Sequence, residues 1–152
     1  MKNFYQKGLT AIELLVIVAV LGIIFSIVIP QFAKMRENQV FKSTVADVLS
    51  SLNKARSQTL ASADSSSYGV HFQSDKVIIF KGTAFSSGDA NNQTVNITSP
   101  AIISTITLTG GGANVYFNRL SGAPSVTGSI VVSSVNFTKT ITISATGMAS
   151  VN

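Results

Sequence analysis

From Leu14 to Ala33 the chain carries no charged residue, and a carboxylate, Glu13, stands at the very edge of that run. In water such a segment has no polar face to present. As a helix rising 1.5 Å per residue, about 20 apolar residues match the roughly 30 Å hydrocarbon core of a bilayer. The run predicts a membrane-length helix. A cleaved secretory signal is the rival reading, but its apolar stretch would be about 7–15 residues and would close on an A-x-A-like site. This run closes instead on IPQFAKMR. Glu13 costs energy if it is held at bilayer depth, and less if it snorkels to the headgroups. Charge leaves the orientation open, because Lys2 and Lys7 precede the span while Lys34, Arg36 and Lys42 follow it.

The leader MKNFYQKG, followed by LTAIE and the apolar run, resembles the N-terminus of type IV pilins and pseudopilins. The positions that carry the resemblance are Gly8, Leu9, Thr10, Ile12, Glu13, Leu14, Leu15, Gly22 and Pro30. The resemblance implies that a prepilin peptidase cuts after Gly8, and that Leu9 becomes the N-terminus and a site of methylation. It also implies that Glu13 pairs with the free amine of a neighbouring subunit. Two unlike charges in a dry bundle favour the register that joins them. Leu9 stands where most members of the family have phenylalanine, so a large apolar residue is kept.

The chain has 152 residues, a net charge of +5 and no cysteine. An exported domain of this composition has no disulfide and rests on its core alone. From Gly82 to Asn152 only Asp89, Arg119 and Lys139 are charged, and the rest is rich in Ser, Thr, Gly, Val and Ile. That is a composition of strands and polar turns. It has no basic stripe, so DNA is not an expected partner. Three N-x-T triplets occur, at Asn92, Asn96 and Asn136.

Beyond the span, Phe41, Val45, Val48, Leu52 and Ala55 recur three or four residues apart, with Lys42, Asp47, Lys54 and Arg56 off the stripe. This predicts one helix from about Leu9 to about Ser62. Gly22 and Pro30 are its weak points, Pro30 because it lacks the N–H that the ladder needs. The run Ser62–Ser67 breaks the helix. Strands are expected at Tyr68–Phe72, Val77–Phe80, Thr94–Thr98, Ile102–Leu108, Ala113–Asn118, Ser129–Ser133 and Thr140–Ser144, with one sheet face covering the helical stripe. The segments Tyr116–Pro124, Gly128–Val132 and Thr140–Gly147 resemble the head of H-type pseudopilins and FimT-like minor pilins.

Catalytic chemistry has little to work with. His71 is the only histidine, and Asp64 and Asp75 flank separate turns. No base positions any of the serines. Gly110–Gly112 lacks the GK[ST] of a phosphate loop. In the loop Ser87–Asn92 only Asp89 could bring charge to a cation. Some FimT-like pilins take up DNA through basic residues after the terminal glycine, but here Met148–Asn152 contains none.

The expected architecture is α+β. A leader (1–8) precedes a transmembrane, filament-core helix (9–33), and an exported head (34–152) carries the rest of the helix packed on an antiparallel β-sheet. The expected function is a non-enzymatic subunit, a minor pilin or pseudopilin of a type IV pilus or type II secretion pseudopilus, with no cofactor and no metal. The resemblance implies a precursor in the bacterial inner membrane with its head exported. Its partners would be the prepilin peptidase, other pilin subunits, the inner-membrane assembly platform and lipid. Two alternatives are a DNA-binding minor pilin and a membrane-anchored β-domain that binds another partner.

Overall fold

A computed structural model of the chain describes residues 10–152. The expected processing positions Gly8 and Leu9 lie outside the described residues. One helix, α1, runs over Ala11–Leu60, a length of 50 residues, and continues through both Gly22 and Pro30. It starts as its sequence dictates. Thr10 is the N-cap, and its Oγ1 accepts a hydrogen bond from the Glu13 N–H at 3.3 Å. Thr10 and Glu13 stand at the spacing of a capping box, and an acid in the first turn suits the positive end of the helix dipole.

The chain forms two compact units that divide between Arg36 and Glu37. In the first unit every described helical residue is exposed, from Ala11 to Arg36. Leu14, Ile17, Leu21, Phe25 and Ile29 are among them. Length and composition make this helix able to cross a membrane.

The second unit contains the rest of α1 and eight strands. These are β1 (Tyr68–Phe72), β2 (Lys76–Lys81), β3 (Gln93–Asn96), β4 (Ile102–Leu108), β5 (Asn114–Tyr116), β6 (Gly128–Ser133), β7 (Thr138–Ile143) and β8 (Ala149–Val151). The helix ends at Leu60, and a single 3-10 turn, Ala63–Ser65, follows within the serine-rich run. Ser62, Asp64 and Ser65 there adopt left-handed φ values. Asp64 is useful in that position, because Oδ2 accepts from the Tyr68 hydroxyl at 3.0 Å and from Lys81 Nζ at 3.2 Å. The Tyr68 bond, helped by Lys81, holds the Asp64 carboxyl below its usual value. Its contribution to stability is therefore present above the unfolded-state value and is lost as pH falls through the lower folded one.

The expected single sheet is two sheets, which corrects the sequence reading. Both are antiparallel, with strand orders β3-β2-β1-β5 and β4-β6-β7-β8. Alternation marks the buried face of a strand but does not say which strand lies beside it. β4 follows β3 in sequence yet pairs with β6, while β5 returns to the first sheet beside β1. The expected hairpins β1–β2 and β6–β7 are formed. β8 is an addition to the expected strands; it pairs with β7 after a turn at Gly147.

A single apolar cluster joins the helix to both sheets. Phe41, Val48, Leu52 and Ala55 of α1 meet Val70, Phe72 and Ile79 of one sheet and Ile130, Val132 and Ile141 of the other. The expected stripe is thus buried, with Val45 only half-buried. Glu37, Thr44, Ser51 and Thr59 extend it as polar members that the apolar periodicity does not include. Ser51 Oγ donates to the Asp47 carbonyl and Thr59 Oγ1 to the Ala55 carbonyl, while Glu37 accepts bonds from a turn of the second sheet. Most polar groups buried in cores are bonded in this way.

Candidate functional site

The expected site residues fall in different places. Glu13 is exposed in the first turn of α1. Gly22 and Pro30 lie within the exposed apolar half of the same helix, with open space around the Gly22 Cα. In the second unit titratable side chains gather where Asp64 meets Tyr68 and Lys81, the contact that fastens the turn after α1. Among the described residues no three of His, Cys, Asp and Glu come together as a metal site.

His71 is held structurally. Its Nδ1 faces Asn114 Oδ1, and its Nε2 lies 3.0 Å from Gln73 Nε2. The ring stacks on Phe85 with centroids 3.9 Å apart and an interplanar angle of 9°. Phe85 in turn meets Phe80 edge-on at 5.7 Å. The histidine therefore fastens the loop after β2 onto the sheet. In that loop Asp89 Oδ1 accepts from both the backbone and the side-chain nitrogen of Asn91, each at 2.8 Å. Those bonds lower the Asp89 carboxyl below its usual value and tie it up within its own turn.

The cations that DNA binding would need are dispersed. Lys76 and Lys81 stand at opposite ends of β2, each near a carboxylate, Asp75 at 4.0 Å and Asp64 at 3.2 Å. Lys139 lies on the other sheet. The three N-x-T amides also differ. Asn92 Nδ2 donates to the Ser86 carbonyl and Asn136 Nδ2 to Glu37, whereas Asn96 is exposed on the edge strand β3.

Three features of the head are not evident from sequence reasoning. The first is Glu37, whose carboxylate holds the β6–β7 turn. Oε1 accepts from Ser134 Oγ and from the Asn136 N–H, both at 2.8 Å, and Oε2 accepts from Asn136 Nδ2 at 2.7 Å. A glutamate four residues before Phe41 fits the stripe's periodicity, but its charge argues for solvent.

The second gathers around Arg56. Nε donates to the Gly122 carbonyl at 3.1 Å and a terminal guanidinium nitrogen to the Thr146 carbonyl at 3.2 Å. Gly147 sits so close that a Cβ there would stand 2.1 Å from the Gly122 oxygen, at a φ of +79°. Only glycine fits. Beside this junction Leu120 is 91% exposed and holds a φ of +71°. A left-handed leucine costs about 1–2 kcal/mol, and its side chain gains nothing here in return. Leu120→Gly is expected to raise stability by about 0.5–1 kcal/mol, after allowing for the freer unfolded chain. A calorimetric melt of the two proteins checks this, and a lower midpoint for the variant refutes the strain.

The third is an apolar groove of about 260 Å³ between α1 and the start of β7. Phe41 and Phe137 stack in its wall with centroids 5.7 Å apart. A more polar cleft lies across the helix, where Lys54 Nζ donates to Gln93 Oε1 at 2.7 Å.

No family model, curated protein or solved structure matches this chain.

Proposed function

We propose that the chain is a non-enzymatic filament subunit, a minor pilin or pseudopilin, made as a membrane-inserted precursor and assembled through its N-terminal helix. One observation carries the reading. A single helix has a first half that is apolar and exposed throughout and a second half that buries a stripe in the head's core. An exposed apolar helix needs lipid or other helices around it. A subunit that moves from bilayer to filament would use both in turn. Glu13 fits as the one carboxylate on that surface, at its N-terminal end. The peptidase, sister subunits and the inner-membrane platform are the proposed partners, and the head is the exported part.

Processing is the test. Co-expression with a prepilin peptidase is expected to remove eight residues, leaving Leu9 first, and Gly8→Val is expected to abolish the cut by placing a β-branched side chain beside the scissile bond. Intact mass reads the outcome; cleavage elsewhere, or none, sinks the proposal.

Assembly gives a second measurement. Glu13→Ala should leave membrane insertion intact, because it removes a carboxylate that is costly near lipid. Incorporation into filaments should fall severalfold. The cap survives the change, because the bond to Thr10 Oγ1 comes from the backbone N–H of residue 13; what is lost is an acid at the positive end of the helix, worth about 0.3–1 kcal/mol, and helix content by circular dichroism reads it. Wild-type assembly by Glu13→Ala would leave the carboxylate with no role beyond the helix dipole.

A further inference from the structure

We propose that the groove between α1 and β7 binds an anionic phospholipid. Its floor is apolar, made by Phe41, Val45, Phe137 and Val151, and Lys42 and Lys139 stand on its rim. Both lysines are exposed, and neither pairs with a carboxylate among the described residues. An apolar trough under two unpaired ammonium groups complements one kind of molecule, an amphiphile with a negative head. A neutral lipid would leave the ammonium groups unmatched, and a soluble anion would leave the trough wet.

Connectivity supplies the lipid. Lys42 follows the apolar run, which ends at Ala33, by nine residues. Even a fully extended chain of that length reaches only about 30 Å. If the apolar helix is in a bilayer, the rim lysine is tethered to its surface, where its charge attracts the headgroup of an anionic lipid. The phosphate sits between the two rim lysines and the upper acyl chain lies on the Phe41–Phe137 wall. An anionic lipid held there would keep the precursor's head at the membrane until the subunit leaves it.

This inference rests on the membrane-anchored reading, and its test separates the two. Loss of the full chain from the membrane fraction would overturn the anchor itself. The groove is tested on the full chain in neutral maltoside micelles, by native mass spectrometry with phosphatidylglycerol or phosphatidylcholine added at equal concentration. One phosphatidylglycerol is expected to be retained at least fivefold over phosphatidylcholine. Lys42→Gln with Lys139→Gln should abolish that preference, while Lys76→Gln, a cation away from the groove, should keep it. Val45→Trp, which fills the groove and leaves both lysines, should abolish it too. Equal retention of the two lipids overturns the proposal, as does a preference that survives either groove variant. Selective retention of an acidic, leucine-containing peptide in place of phosphatidylglycerol would also overturn it and give the groove to a protein partner.

Discussion

Replacing Leu52 with aspartate is expected to unfold the head. Leu52 is 1% exposed and lies on α1 one turn from Val48 and close to Ala55, both of which are fully buried. The same cluster reaches strands of both sheets, so this position has no solvent side to turn toward. Losing the leucine alone costs about 2–5 kcal/mol through transfer and cavity terms. Adding an unpaired carboxylate costs several more, or forces it to hold a proton. The sum is comparable to the whole stability of a domain, about 5–15 kcal/mol. In neutral detergent the exposed apolar half of α1 does not depend on this core. The variant should therefore keep part of its helical signal while the strand signal and the near-ultraviolet signal of Tyr68 and Tyr116 are lost. Leu52→Met, a volume-conserving change, should cost less than about 1.5 kcal/mol. A cooperative melt of Leu52→Asp within about 5 °C of wild type, the shift that roughly 1 kcal/mol produces, would place the wrong helix face inside.

The stripe that contains Leu52 is legible in the sequence because it obeys a local period. The membrane-length run is legible for the same reason: its character is a property of consecutive residues. Alternation locates strands, and seven of the eight fall near their expected positions. Their pairing is another matter. Whether β4 lies beside β3 or β6 is decided by contacts distant in sequence, and a one-sheet head satisfies the same alternation as the two-sheet head that forms. β8 escapes because three residues, Ala149-Ser-Val151, are too few to show a period. The groove escapes for a related reason. Its walls come from residues nearly a hundred positions apart, Phe41 and Phe137, and Lys42 and Lys139 read singly as ordinary surface charges. Thr10 and Glu13 read as parts of a processing signal, although their spacing is equally that of a helix cap.

Glu37→Ala is expected to destabilise the head by about 2–4 kcal/mol, an unusual cost for a charged residue on a helix. Glu37 is only 9% exposed, and its two oxygens receive three hydrogen bonds from the β6–β7 turn. Bonds to a charged acceptor are worth about 1.5–3 kcal/mol each, but bonds from one turn are not additive, since they are made and lost together. Truncation leaves the Asn136 N–H without its acceptor. Glu37→Gln should be milder, because its carbonyl can still accept from the turn and the Asn136 amide can rotate to offer oxygen to the new NH₂ group. The measurement is chemical denaturation of wild type, Glu37→Ala, Asn136→Ala and the double variant. The double variant should be less destabilised than the two single losses added, by at least about 0.5 kcal/mol. Additive losses, or a Glu37→Ala cost below about 0.5 kcal/mol, would show that the carboxylate does not hold the turn. The consequence reaches beyond stability. Phe137 and Lys139 follow closely on Asn136, so the bond that fixes the turn also fixes one wall of the groove.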